Sequence, residues 1–256
     1  MHKFSFFSTQ TDELGSIRFK ILVKNTLSAI YVNCLVDIFY PETCIGCGRV
    51  LYRPSRLICP VCSCDLPRCE FCFFKDNRAE MLFKGRVDLQ SVASLYYFRK
   101  KGIVQKMMHA LKYGGRQDVG EFLGWALAAE MVSAGRFREI DLVLPVPLHP
   151  AKRRKRGYNQ VSGFGRVLSE SLGVPFREDI LERRIPGRSQ TRKDRVMRNR
   201  ALMDSFRISK SNELINKHVL IVDDIITSGA TLEACARVIL PVPGARVSLA
   251  SMAFTL

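Results

Sequence analysis

Ile17, Ile21, Leu27, Ile30, Tyr31, Leu35 and Ile38 fall largely three or four positions apart, the spacing that lines one face of a helix. An amphipathic packing helix is therefore predicted over Ile17–Phe39, with Pro41 ending it. Pro54, Pro60 and Pro67 punctuate the next stretch as turns, and short apolar runs separated by helical segments follow. Strands are predicted at Ser91–Phe98, Leu142–Val146, near Ser205–Ile208, at Val219–Val222 and at Val247–Phe254. Helices are predicted at Gly102–Tyr113, Val119–Val132, Gly157–Leu172 and Ala230–Leu240. Helices that separate apolar strands call for an α/β fold with a parallel, doubly wound sheet. The expected division is a tail and helix over residues 1–40, a small module over 41–78 and the α/β domain over 79–256.

Composition narrows the class. A chain of 256 residues with 47% apolar content is neither disordered nor a small disulfide scaffold. Its apolar runs fall far short of the ~18 residues that span a bilayer. At the N-terminus Ser5, Ser8 and Thr9 break up Phe4, Phe6 and Phe7, so no secretory leader is expected and the chain reads as cytoplasmic. Cysteine usage fits that compartment, since seven of nine cysteines lie between Cys44 and Cys72, mostly as Cys-x-x-Cys pairs. Such clustering in a reducing compartment points to metal before disulfide. The formal net charge is +16, and residues 152–200 carry fifteen Lys and Arg against five Asp and Glu. Five consecutive cations, Lys152–Arg156, form either a solvated basic surface or a contact for phosphate or nucleic acid.

Chemistry is densest in Val219-Leu-Ile-Val-Asp223-Asp224-Ile225-Ile-Thr227-Ser228-Gly229-Ala230-Thr231. Here a buried strand delivers two acids, then a loop of small residues, then a helix start. Backbone N–H groups and hydroxyls of Thr227, Ser228, Gly229, Ala230 and Thr231 suit a phosphate cup, because glycine allows close approach and the helix adds its positive N-terminus. Asp223 and Asp224 would repel phosphate but accept hydrogen bonds from the vicinal hydroxyls of a ribose. Together they describe a ribose 5-phosphate site. No Gly-x-x-x-x-Gly-Lys-Ser/Thr occurs, and Gly163-Phe-Gly165 lacks the third glycine of a dinucleotide fingerprint.

The thirteen-residue string resembles the 5-phosphoribosyl 1-diphosphate (PRPP) motif of type I phosphoribosyltransferases. With it, Phe39-Tyr40-Pro41-x-x-Cys44-x-x-Cys47, Leu111-Lys112-Tyr113-Gly114-Gly115-Arg116, Leu144-Pro145-Val146-Pro147-Leu148-His149-Pro150 and Arg156-Gly157-Tyr158-Asn159-Gln160 make the chain similar to the ComF/GntX-like competence protein F family over residues 38–254. The resemblance implies a type I phosphoribosyltransferase fold, a Rossmann-like parallel sheet flanked by helices, with a small N-terminal zinc ribbon. It implies PRPP and Mg²⁺ as ligands, with Asp223 and Asp224 as the catalytic pair. Residues Asp223, Asp224, Ile225, Thr227, Ser228, Gly229, Ala230 and Thr231 would bind PRPP, and Pro147, Leu148 and His149 would meet the diphosphate. Arg156, Gln190 and Arg195 become lid or anion contacts, the latter two with Asn199 in a mobile loop over the ligand. His149 is either a turn residue or a proton carrier. The same resemblance implies natural competence and DNA uptake, with an ATP-driven DNA translocase as partner. Two readings fit: transfer of phosphoribosyl to an acceptor the sequence does not name, or a non-catalytic PRPP sensor or single-stranded DNA adaptor.

Cys44-x-x-Cys47 and Cys59-x-x-Cys62, eleven residues apart, supply four thiolates on two turns, the donor set of a closed structural Zn²⁺ site. Cys64, Cys69 and Cys72 are candidates for further ligation, although three thiolates lack a fourth partner and no Cys-x-x-Cys follows Cys72. Cys34 and Cys235 fall on predicted helices as small apolar residues. Phe71, Phe73 and Phe74 interleave with Arg68, Lys75 and Arg78, which suits equally a stacking surface for single strands and an interface with the main domain.

Overall fold

A computed structural model describes residues 41–51, 57–183 and 205–255. The helix predicted over residues 17–39, Cys34, Gln190, Arg195 and Asn199 lie outside them.

In chain order the elements are α1 (Pro60–Cys64), α2 (Arg78–Phe83), β1 (Val92–Phe98), α3 (Ile103–Tyr113), α4 (Asp118–Ala134), β2 (Leu142–Pro145), α5 (Pro150–Arg156), α6 (Ser162–Leu172), β3 (Leu181–Arg183) and β4 (Phe206–Ile208). A 3₁₀ turn (Ser211–Leu214), β5 (His218–Ile226), α7 (Ala230–Ile239) and β6 (Arg246–Thr255) complete them. The main sheet has the order β1-β6-β5-β2, and every pair in it is parallel. Parallel neighbours need crossovers, and helices supply them, so both faces are covered.

Alternation along β5 shows this directly. Leu220 and Val222 point into a core with Leu123 and Leu127 of α4 and Phe164 and Leu168 of α6. Val219 and Ile221 point the other way, into a core with Leu232, Ala236 and Ile239 of α7 and Phe83 of α2. All four β5 residues are fully buried. Inside the sheet the Ser251 hydroxyl donates to Ser94 Oγ at 2.9 Å, and His218 Nε2 pairs with Ser248 Oγ at 2.9 Å.

The cysteine-rich stretch packs into the same cores. Cys44, Leu57, Ile58, Cys62 and Leu66 join the first, while Cys69, Phe71, Ala79 and Phe83 join the second. Residues 67–69 run antiparallel along the free edge of β1, where Cys69 N donates to Leu95 O and Tyr97 N donates to Pro67 O.

Two expectations are corrected. The segment of five cations is itself a helix, α5: His149 caps it by accepting from Ala151 N at 3.2 Å, and Gly157 ends it in the left-handed region at φ 78°. The helix predicted from Gly157 starts at Ser162 instead, because Gly157 is already the C-cap of α5, its N–H donating to Arg153 O. In addition β5 does not stop at Val222. Asp223 pairs with Ser251 and Ile225 with Ala253, so both acids stand within the strand.

Candidate active site and metal centre

Ligands of open parallel sheets gather beyond the carboxyl ends of the strands. At that end β5 presents Asp223 and Asp224, both half-buried, and β2 leads through Val146 into Pro147, Leu148 and His149. Val146 N donates to Val222 O at 2.9 Å, which continues the β2–β5 pairing and brings residues 147–149 beside the acids. His149 acts as the cap of α5.

Asp224 is held on two sides. Lys112 Nζ, at the end of α3, lies 2.8 Å from its Oδ2, and Gln160 Nε2 donates to the same oxygen at 2.9 Å. Arg156 Nη1 donates to Gln160 Oε1 at 2.6 Å, which extends the chain of contacts to α5. Asp223 instead accepts from the Asp224 amide at 2.8 Å. Burial, and then the neighbouring Asp224 carboxylate, push the Asp223 carboxyl up to about 8, against the lowering pull of that amide, Lys112 and Arg183. One acid of the pair thus keeps its proton near neutrality, as close carboxyls generally do.

Beyond Ile225 and buried Ile226, Thr227 and Ser228 are exposed and Gly229 enters α7 at φ 74°; Ala230 and Thr231 are partly exposed in its first turn. The loop is supported from behind. A Cβ on Gly229 would stand 2.7 Å from the Phe83 ring. Arg86 Nη1 donates to Ser228 O at 2.9 Å, and its other terminal nitrogen pairs with buried Glu233 of α7. Arg237 holds Glu233 at 2.9 Å and donates to Arg86 O at 2.8 Å. Lys112 and Gln160 lay within motifs noted in the sequence but had no role there. Arg86 and Phe83 carried no local signal, because they meet the loop only through the fold.

The four thiols of Cys44, Cys47, Cys59 and Cys62 lie within 4.8 Å of one another. A tetrahedral site with ~2.3 Å Zn–S bonds needs sulfurs about 3.8 Å apart, and Cys47 and Cys59 stand at 3.8 Å. Burial would raise the Cys44 thiol, but the amides of Cys59, Cys47 and Gly46 outweigh it and bring it down to about 6. Cys62 is pushed up to about 12 by burial and the neighbouring thiols. A divalent cation is what lets such a set ionise together, so the residues fit zinc and leave no open position. Gly46 is packed so that a Cβ would meet Cys62 Sγ at 2.9 Å, and its carbonyl accepts from Lys106 Nζ of α3.

The other cysteines go elsewhere. Cys64 is exposed on α1, whereas Cys69 and Cys72 are buried in the two cores, each pushed up to about 12 chiefly by burial. Among the described residues, they form no ligand group of three or more. Cys235 is buried on α7. Phe71 packs edge-on against Tyr97 and Phe254, while Phe73 and Phe74 are exposed.

The phosphoribosyl transferase domain family matches residues 162–254, which include β5, the acids, the loop and α7. The chain is 31% identical over 213 residues to competence protein F of Haemophilus influenzae, a match covering 78% of this chain and 92% of that protein. The chain belongs to the competence protein F family. Competence protein ComFC of Bacillus subtilis is 23% identical over 200 residues, 78% of either chain. DNA utilization protein YhgH of Escherichia coli is 27% identical over 137 residues, 52% of this chain, and the match spans 60% of that relative's length. The competence protein F relatives and the domain match agree with the parallel sheet flanked by helices: the fold is phosphoribosyltransferase-type, with a four-cysteine cluster before it. No helix among the described residues is long and apolar enough to cross a membrane.

Proposed function

We propose that this competence protein F family member binds PRPP at the carboxyl end of β5 and transfers its phosphoribosyl group to an acceptor. The observation that carries this reading is the placement of Asp223 and Asp224 in the strand immediately before the Thr227–Thr231 loop, which turns into α7 at Gly229. The loop would take the 5-phosphate with backbone N–H groups and hydroxyls, and the acids would take the ribose 2- and 3-hydroxyls. A protonated Asp223 both donates and accepts, and Asp224, clamped by Lys112 and Gln160, brings no uncompensated charge near the phosphates.

In the transfer the acceptor lone pair forms a bond to ribose C1 while the C1–O bond breaks and its electron pair leaves with diphosphate; the acceptor proton passes to solvent. The residues of the chain orient the sugar and neutralise the leaving group, with Pro147, Leu148 and His149 beside the diphosphate. Mg²⁺, when bound, would supply further neutralisation of the diphosphate, and of the two acids Asp224 is already committed to Lys112 and Gln160. Residues 41–78 act as a structural zinc module. The names of the relatives support a role in competence and use of DNA.

Titration calorimetry of Mg²⁺ and PRPP into zinc-loaded protein tests the site. Binding is expected in wild type and lost in the Asp223→Asn, Asp224→Asn double variant with its fold intact. Equal binding by the variant would show that the acids are not the PRPP site. A second reading, a non-catalytic single-stranded DNA adaptor, is favoured by the exposed cations Lys152, Arg153 and Arg154 on α5. It predicts strand binding that weakens steeply with salt, and less steeply after Lys152→Ala and Arg154→Ala.

A further inference from the structure

Two stretches that the proposed reaction leaves mostly unused, residues 111–116 and 156–160, meet in space. Tyr158 Oη donates to Leu111 O, and the Arg156 guanidinium lies 5.6 Å over the Tyr113 ring. Between them is a cavity of about 460 Å³ lined by Lys112, Tyr113, Gly115, Lys152, Arg156 and Tyr158. That volume lies in the range of small-molecule sites, ~300–1,000 Å³.

Three lining residues are cations and none is acidic. Lys112 is paired with Asp224, so Lys152 and Arg156 are the two cations that an anion entering the hollow would meet and relieve of their mutual repulsion. The geometry is also fixed before any ligand arrives. Gln160 holds Arg156, the carbonyl of Leu111 holds Tyr158, and Asp224 holds Lys112 at 2.8 Å. Tyr113 remains 64% exposed, an aromatic face kept at the mouth beside His109, with ring centroids 5.0 Å apart. Through Lys112 the cavity adjoins the acid pair, so a molecule held there stands next to the ribose position.

We propose that this cavity is the acceptor subsite and that it takes a planar organic anion, with its ring against Tyr113 and Tyr158 and its carboxylate or phosphate against Lys152 and Arg156. The inference rests on the phosphoribosyl transfer proposed above and names the class of its second substrate. A diphosphate alone is tetrahedral at each phosphorus and gains nothing from two aromatic walls, which separates this hollow from the 147–149 loop. Lys112 has a double part here, as it lines the acceptor space while neutralising Asp224.

The test uses the full zinc-loaded chain with three planar acids as probes, orotate, quinolinate and anthranilate, and with pyrophosphate and Mg²⁺–PRPP as comparisons. Tyr113→Ala and Lys152→Ala are the variants, both at exposed positions, with thermal melts to confirm folding. At least one planar acid should bind wild type, and each variant should weaken it about tenfold, about 1.4 kcal/mol, while Mg²⁺–PRPP affinity stays within about twofold. Failure of all three acids to bind, or binding indifferent to both variants, overturns the proposal. Loss of pyrophosphate and PRPP affinity in the variants also overturns it, by making the cavity part of the diphosphate site. In each of those cases PRPP binding by wild type, dependent on Asp223 and Asp224, leaves the proposed function standing; wild type that binds no PRPP refutes that function instead.

Discussion

Asp223 and Asp224 are adjacent in sequence yet face different surroundings, and the difference has a measurable sign. Asp223 binds its proton more tightly folded than unfolded, since its carboxyl moves from an ordinary 3.8 to about 8. The folded state is therefore favoured at low pH and loses that advantage as pH rises from about 4 to about 8, with no further change above. Asp223→Asn removes the cost of holding this carboxyl. The melting temperature of the variant relative to wild type should rise between pH 5 and pH 8, and scanning fluorimetry of both proteins across that range checks it. A difference that shrinks instead would mean the carboxyl is not destabilised by burial. Gly229→Ala is expected to act differently, through strain. The positive φ and a Cβ placed 2.7 Å from Phe83 together should cost about 2–4 kcal/mol in urea unfolding and weaken PRPP binding.

Among the elements, the turn carrying Cys44 and Cys47 is too short to hold its shape by packing alone, and ligation of a metal by the four-cysteine cluster would fix it. One zinc per chain is expected by elemental analysis, falling toward zero in Cys44→Ser with Cys62→Ser. Gly46→Ala keeps all four ligands but crowds Cys62, so zinc affinity should drop about tenfold in competition with a chelating dye. Helix α5 is both a helix and a basic surface, with Lys152, Arg153 and Arg154 exposed along it. Pro150 at its first turn, the His149 cap and Gly157 at the end define a helix that charge alone obscured. Those signals are local: a proline in the first turn, a side-chain cap and a left-handed glycine delimit a helix whatever charges lie between them.

For the whole molecule, the same core takes in Cys44 and Cys62 from the metal module, Leu123 and Leu127 from α4 and Leu220 and Val222 from β5. Zinc binding and folding of the sheet should therefore be coupled. Calorimetry is expected to show one transition, and chelation should lower its midpoint as a whole; a separate early transition with the main one unmoved would show an independent module. At the other core, Ile221→Ala opens a cavity in the central sheet and should destabilise by about 2–5 kcal/mol.

Sequence alone determined the parts whose cause is local. Apolar runs marked β1, β2, β5 and β6, because strands of a parallel sheet buried on both faces are near-continuously apolar. Cys-x-x-Cys spacing marked the four-cysteine cluster, since each turn places its own two thiols. Asp223 through Thr231 marked the loop, since a strand, a glycine and a helix start are consecutive. Tertiary structure alone decided what surrounds that loop. Arg86 reaches Ser228 from another part of the chain, Lys112 and Gln160 converge on Asp224 from α3 and the turn before α6, and Tyr113 meets Arg156 across the cavity. Side chains far apart in the sequence become neighbours only when the parallel crossovers place their helices, and no periodicity along one segment encodes that meeting.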